Sequence, residues 1–507
     1  MIKKLVSIAL VGIVSSLCGA AESTSAQRVL LVVLDGLRPD YVTVERMPNL
    51  HALGERGVFF EEHHSTFPTV TRVNATSIVT GAYPERHGIM DNTVYFPEVD
   101  PDRGLSTGDH ANLERIMAAT GGKLLTAPDL GEVLSKAARA LFVGSSGSSG
   151  SAFLLNHHVY NGVIVHNDYV LPEEAEAKVL ELIGKAPEEG LPNAGQNHRA
   201  VDAYLKVGLD HVSAPVSILW ISDPDHTAHD KGIGDPVTEE ALRAVDGEVG
   251  RIVEGLKQRG LDVTTNILVT SDHGFATYGG KANASAVVKE FMEKSGHQAK
   301  DAVIAGAGIY LKKDQETLLP ALVQRLQAEP WVGAIFTAGE AGSDQGGVPG
   351  TLSMELAREA HARAPHILVS PMWSDEKNAH GWPGTTDLPG VAGHGSAGRW
   401  EVHNTLIAAG PAFKQGIRSS VPSHNVDLAP TILNLQGLIA PDSMQGRVLE
   451  EALAGGPTPE SVAVEKRTHQ ASTTLADGTK YEAELAESVV QGKTYLDFAR
   501  AVRGGGK

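Results

Sequence analysis

The chain has 507 residues, 42% of them hydrophobic and 21% charged, with a formal net charge of −18. That length permits a large core and two or three structural units, and the composition is that of an ordinary globular protein. The acidic balance argues against a nucleic-acid polymer or an anionic membrane surface as partner; a small anionic substrate remains open, because bound cations can reverse the field locally.

The first twenty residues read "MIKKLVSIALVGIVSSLCGA". Lys3 and Lys4 precede an apolar run from Leu5 to Val14, and small residues follow. This is the pattern of a secretory signal peptide, so residues 1–26 are expected to be removed and the mature protein to be secreted or periplasmic. The run is short for a bilayer span, and no later stretch is long enough for one. Cys18 is the only cysteine. Bulky Leu17 before it disfavours a lipid anchor, and cleavage leaves a chain with neither disulfides nor thiolate ligands.

Four short, nearly continuous apolar runs follow: "RVLLVVLDG" (28–36), "APVSILWISDPD" (214–225), "TTNILVTSDHG" (264–274) and "HNTLIAAGP" (403–411). Such runs suit strands buried on both faces. Helical apolar spacing lies between them, notably over 197–210 and 238–259. Strands alternating with helices predict an α/β fold with a mostly parallel central sheet flanked by helices. The main domain is expected over 27–435. A smaller inserted cap is expected over about 276–375, within which 285–335 reads helix, strand, helix, strand. "GSSGSSGS" (144–151) reads as a flexible loop. Residues 436–507 read as a polar C-terminal extension ending in a frayed "RGGGK".

Three of the four runs end on carboxylates: Asp35; then Asp223 and Asp225 with His226 and His229; then Asp272 with His273. Ligands of open α/β sheets bind beyond the carboxyl ends of the strands, so these side chains are expected to share one crevice. His394, between glycines in "GVAGHGSAG", is a further candidate. A sulfur-free Asp/His set suits zinc or manganese, and two such ions can clamp both oxygens of an in-line displacement at phosphorus. The stretch "TFPTVTRVNATSIVTG" (66–81) offers Thr66, Thr69, Thr71 and Thr76 as hydroxyls that a cation could activate. Each piece has a plainer reading. Asp after a strand is often a turn or cap residue, and His87, His226 and His403 are read as structural. The Asn74-Ala75-Thr76 glycosylation sequon is read as chance.

At these residues the sequence resembles the alkaline phosphatase superfamily, in its nucleotide pyrophosphatase/phosphodiesterase branch. The matching pieces are "VLDGLRPDY", "FPTVTRVNATSIVTGAYPERHGIMDN", "DPDHTAH", "TSDHG", "GHG" and "NVDLAPTI", in the family's order over roughly 27–435. The resemblance implies that Thr71, the second threonine of a "PTxT" pattern, is the nucleophile, and that Asn92 of "HGIMDN" binds phosphate. It implies one metal on Asp225, His229 and His394 and another on Asp35, Asp272, His273 and the Thr71 oxygen, as two divalent ions with zinc foremost. Thr66, Thr69 and Thr76 are then packing, turn or cap residues. One departure stands out. Arg72 follows the nucleophile where the nucleotide-cleaving pattern "TFPNH" has an aromatic, which removes a base-stacking platform.

The expected activity is therefore hydrolysis of phosphodiester or pyrophosphate bonds in a small-molecule substrate, through a phosphothreonine on Thr71. The alternatives are a phosphomonoesterase or phosphonate hydrolase of the same superfamily, then a sulfatase or a non-catalytic binding protein. A diester preference is expected because "SSGSSGSAFLLN" (145–156), after the strand at 138–144, has no lysine or arginine to neutralise a dianion. Arg72 is a substrate-binding candidate. Its plainer reading is an ion pair with a carboxylate at the pocket rim.

Overall fold

The computed structural model describes residues 27–504. The expected signal peptide and the last three residues lie outside that range.

A nine-stranded mixed sheet forms the centre. Its strands, in chain order, are β1 (Arg28–Leu34), β2 (Val58–Phe60), β3 (Leu141–Ser145), β4 (Val163–Val165), β5 (Val170–Leu171), β6 (Val216–Ile221), β7 (Thr265–Thr270), β8 (Leu406–Ala409) and β9 (Ile417–Ser419). The spatial order is β9-β2-β8-β7-β1-β6-β3-β4-β5. The middle run β7-β1-β6-β3-β4 is parallel, and β8 runs antiparallel to β7. Alternate side chains of β1 feed two cores. Leu30, Val32 and Leu34 pack with Tyr204, Val245 and Val249, while Val29, Leu31 and Val33 pack with Ile78, Val79 and Ile432. Burial on both faces is why these strands read as continuous apolar runs instead of alternating ones. The helical stretches expected at 197–210 and 238–259 fall on Ala194–Asp202, continued by Ala203–Val212, and on Pro236–Gln258.

The insert carries a five-stranded sheet with helices Ala284–Lys294 and Leu319–Gln327 packed on it. Between those helices stands a hairpin, Ala302–Ala305 with Gly308–Leu311, where a single strand was expected. "GSSGSSGS" is no flexible loop. It spans the end of β3 and the start of helix Ser149–Leu154, and it is buried or half-buried throughout. A side chain at Gly150 would meet the Thr107 carbonyl oxygen at 1.9 Å, so close packing is what demands glycine there. The polar C-terminal extension also folds. Val464–Thr474, Lys480–Val490 and Lys493–Gly504 form an antiparallel sheet whose Tyr481, Leu485 and Ala499 pack against Phe336 and Leu368 of the insert.

Candidate active site

Thr71 opens helix Thr71–Thr80, and the preceding Val70 provides no side-chain cap. The first backbone N–H groups of a helix carry partial positive charge. The Thr71 side chain is buried, with Oγ1 3.4 Å from His273 Nε2. Arg72 N–H donates to Asn92 Oδ1 at 2.9 Å, which fixes the Asn92 amide beside the helix start. The other threonines are structural, as expected. Thr66 Oγ1 donates to Ser77, Thr76 Oγ1 to the Arg72 carbonyl, and Thr69 Oγ1 to the Ser396 carbonyl. Asn74 is fully buried and bonded to Thr66 and Val70, so its sequon is not accessible.

The parallel neighbours β7, β1 and β6 end side by side and bring Asp272, Asp35 and Asp225 to one place. Donor atoms of Asp225, His229 and His394 all lie within 4.8 Å of one another, and so do those of Asp35, Asp225 and His273. Asp225 thus stands between the two groups. Asp272 joins the second group through Oδ2, 3.1 Å from His273 Nε2. All three histidines are held alike. Nδ1–H donates to a backbone carbonyl: that of Ala392 from His229 at 3.0 Å, of Gly274 from His273 at 2.9 Å, and of Thr69 from His394 at 2.8 Å. That leaves each Nε2 lone pair facing inward, toward carboxylate oxygens. Asp35 Oδ1, Asp225 Oδ1 and Asp272 Oδ2 are buried without a hydrogen-bond partner. Lone pair against lone pair is unfavourable unless a cation lies between them, and histidines oriented by backbone carbonyls are the usual support of a metal centre. The donor set therefore fits divalent cations.

Electrostatics among the side chains alone carry the same message. Burial, then Asp272 and Asp225, hold Asp35 well above the ordinary carboxylate range. Burial works against charge on Asp225 and Asp272, but His229 and His394 pull the first well down and His273 lowers the second. His394 is pushed down to about 4 by burial and by His273, whose ring stacks on it at 3.5 Å between centroids. Burial opposes charge on His273, yet Asp272 raises it. Three carboxylates and three imidazoles thus compete for too little positive charge.

Two cavities flank this centre. One, of about 430 Å³, is polar; Asp35, Thr71, Arg72, Ser146, Ser148 and His166 are among its walls. The other, of about 220 Å³, is largely apolar and is bounded by Val70, His394 and side chains of the insert. Arg72 does not make the rim ion pair expected of it. Among the described residues no carboxylate lies within salt-bridge distance, and its Nε is buried without a partner. Burial lowers its basicity against the pull of Asp35, Asp225 and Asp272.

His226 lies outside both ligand groups, half-buried and 3.5 Å from Glu189, and His87 is buried against Ser77. His403 forms a separate cluster with His64 and Glu62. Sequence reasoning missed several supporting residues. Trp220 Nε1 donates to Asp35 at 2.9 Å. Asn425, in the quoted "NVDLAPTI", donates to the Asp272 carbonyl and to Asn74, tying helix Thr71–Thr80 to the segment after β7. Glu401 accepts from Ser396 N–H and holds the His394 loop.

The fold and this crevice define an α/β protein of alkaline phosphatase-like architecture. The family model described as type I phosphodiesterase / nucleotide pyrophosphatase matches residues 29–331, and the chain belongs to that family. A venom phosphodiesterase of Naja atra is 29% identical over 264 residues, covering 51% of this chain and 28% of the relative. Ectonucleotide pyrophosphatase/phosphodiesterase family member 1 of Mus musculus is 29% identical over 250 residues, covering 48% and 24%. The matches thus span about a quarter of these relatives' length. Among solved structures, murine ectonucleotide pyrophosphatase / phosphodiesterase 5 superimposes with a TM-score of 0.58 at 20% identity, over 84% of this chain and 100% of that one. At that identity the likeness is one of fold. His394 lies beyond the segment the family model matches. No described helix is long and apolar enough to cross a membrane.

Proposed function

We propose that the protein is an exported hydrolase of phosphodiester or pyrophosphate bonds in small molecules, acting with two divalent metal ions, zinc foremost. One observation carries this reading: three histidines, each tied through Nδ1 to a backbone carbonyl, converge with three unpartnered buried carboxylate oxygens beside the hydroxyl at an open helix N-terminus. Asp225, His229 and His394 would hold one ion. Asp35, Asp272, His273 and Thr71 would hold the other. When bound, the ions supply Lewis acidity that lowers the pKa of a hydroxyl and stabilises a departing oxygen.

In the proposed sequence Thr71 Oγ1 attacks phosphorus and its proton passes through solvent to the leaving oxygen. The P–O bond to the leaving group breaks as the new one forms, and the leaving oxygen departs toward Asp225, His229 and His394. The Asn92 amide and the Thr71 N–H donate to the remaining phosphoryl oxygens. Water then attacks from the side the leaving group vacated, the bond to Thr71 breaks, one water proton goes to Thr71 and the hydroxyl stays on phosphorus.

A second reading, phosphomonoester hydrolysis, is favoured by the Arg72 guanidinium, which lines the polar cavity with no carboxylate partner and could meet a second phosphoryl charge. A panel of aryl methyl phosphate, aryl phosphate and aryl sulfate, run with elemental analysis of the purified protein, tests both. Turnover of the diester by protein holding about two transition-metal ions per chain is the expected result. Metal-free active protein, or a tenfold preference for monoester, would replace the first reading.

A further inference from the structure

The apolar cavity has no part in the proposed mechanism. Its walls are Val70, the residue before Thr71, and Ile304, Ile309, Trp331, Val369 and Leu388 of the insert and the segment after it. His394 is also in its wall, and in the proposed mechanism the leaving oxygen departs toward His394. The cavity holds one acidic group, Asp91, and no lysine or arginine. Its volume of about 220 Å³ exceeds the ~150 Å³ at which an apolar protein cavity accepts benzene. It therefore suits one aromatic ring with a small substituent and is too small for a nucleoside with phosphates.

The cavity is also fixed in place. The hairpin turn of the insert seats on the residue before Asn92. Ala307 N–H donates to Asp91 Oδ2 at 3.0 Å, and Gly306, at φ +58°, lies so close that a Cβ would stand 1.9 Å from Asp91 Oδ1. Only glycine fits that contact. The insert thereby holds its apolar side chains at a set distance from the reacting centre.

We propose that this cavity binds the leaving group, and that the preferred substrates are phosphoesters of a compact, uncharged aryl or similarly apolar alcohol. This rests on the hydrolase reading above and names its substrate class. An anionic leaving group such as phosphate or pyrophosphate would enter a cavity with no cation of its own and one carboxyl group in its wall, so it is disfavoured. The opposite, polar cavity takes the group that stays on phosphorus.

The test compares two substrates that share a methyl group on phosphorus, 4-nitrophenyl methyl phosphate and methyl diphosphate, whose leaving groups are an uncharged-ring phenolate and a phosphate. The metal-loaded wild-type protein is expected to favour the aryl ester in kcat/KM by at least tenfold. Ala284→Trp, which fills the mouth of the cavity, and Ile304→Asp, which charges its wall, should each lower that ratio at least tenfold. Thermal melting and metal content identify any variant that fails to fold. Independently of turnover, 4-nitrophenol should quench a fluorescence component that Trp331→Phe removes. Turnover with the same ratio in wild type and both folded variants, or nitrophenol binding that leaves Trp331 unquenched, would overturn the leaving-group assignment. A folded, metal-loaded protein inert toward both esters would instead overturn the hydrolase reading on which it rests.

Discussion

The two cavities beside the Asp/His centre come from different kinds of structure. The polar one is lined by strand ends of the central sheet and the segments that follow them, such as Ser146 after β3 and Ser222 and Asp225 after β6. The apolar one is lined mainly by the insert. Residues at the ends of adjacent parallel strands are held by the sheet's own register, which suits groups that must meet reacting atoms to within tenths of an ångström. An insert docked over them can change shape without disturbing that register. In the proposed function, chemistry falls to the sheet and selectivity to the insert.

Mutations on the sheet side should therefore have the largest effects, and Thr71→Ala the largest of all. Removing the nucleophile should lower kcat by at least about three orders of magnitude while melting behaviour and most of the bound metal remain. Thr71→Ser should keep part of the activity. Retention of wild-type turnover by the alanine variant would move the nucleophile to another residue and erase the contrast between the cavities. His394→Ala and Asp272→Ala should each lose about one metal ion by elemental analysis and lower kcat/KM by more than about 100-fold, whereas His226→Ala, outside both ligand groups, should retain both ions.

Arg72→Ala sharpens the account of the polar side. A hydrogen bond to a charged group contributes about 1.5–3 kcal/mol, so its loss should lower kcat/KM for an aryl phosphate about 10- to 150-fold and for a diester much less. Equal losses on both substrates would mean that Arg72 supports the helix start and does not read phosphoryl charge.

The smallest effect on activity is expected on the insert side, where the change is one of stability. Burial pushes the Asp91 carboxyl up from 3.8 to about 6. The folded state then binds that proton more tightly than the unfolded chain does. Its stabilising contribution is whole below about pH 4 and fades as pH rises through 6, by about 3 kcal/mol at most. Urea denaturation from pH 4 to 7 should show this decline in wild type and a shallower one in Asp91→Asn.

The sheet side was legible in the sequence because doubly buried strands are continuous apolar runs, and the change to Asp and His at their ends is abrupt. Asp35, Asp225, His229, Asp272 and His273 could be singled out in that way, while Thr71, Asn92 and the grouping of the ligands came from motif resemblance. The apolar cavity was not legible. Val70, Ile304, Ile309, Trp331, Val369 and Leu388 come from separate segments, and each looks like ordinary core until the chain folds. The C-terminal sheet was hidden in another way. In Lys480–Val490 the buried Tyr481, Ala483 and Leu485 alternate with charged Lys480, Glu482 and Glu484, and two of its neighbours' inward residues are only Ala499 and Ala501. Small buried side chains beside a charged face give a polar average in spite of a period of two. In "GSSGSSGS" the composition suggests freedom, where the structure uses glycine for close approach. Arg72 was expected to pair with a carboxylate at the rim because consecutive side chains generally point in different directions, away from Thr71. Its position at the second residue of the helix turns it toward the polar cavity instead.

In the proposed mechanism Thr71 Oγ1 is the atom that takes the phosphoryl group. Turnover of 4-nitrophenyl methyl phosphate stopped in acid within a single cycle, followed by peptide mass spectrometry, reads that atom directly. The expected result is a methyl phosphoryl adduct on Thr71 that forms at the rate of nitrophenol release and is absent from Thr71→Ala. An adduct on another residue, or nitrophenol release by Thr71→Ala at the wild-type rate, would contradict it.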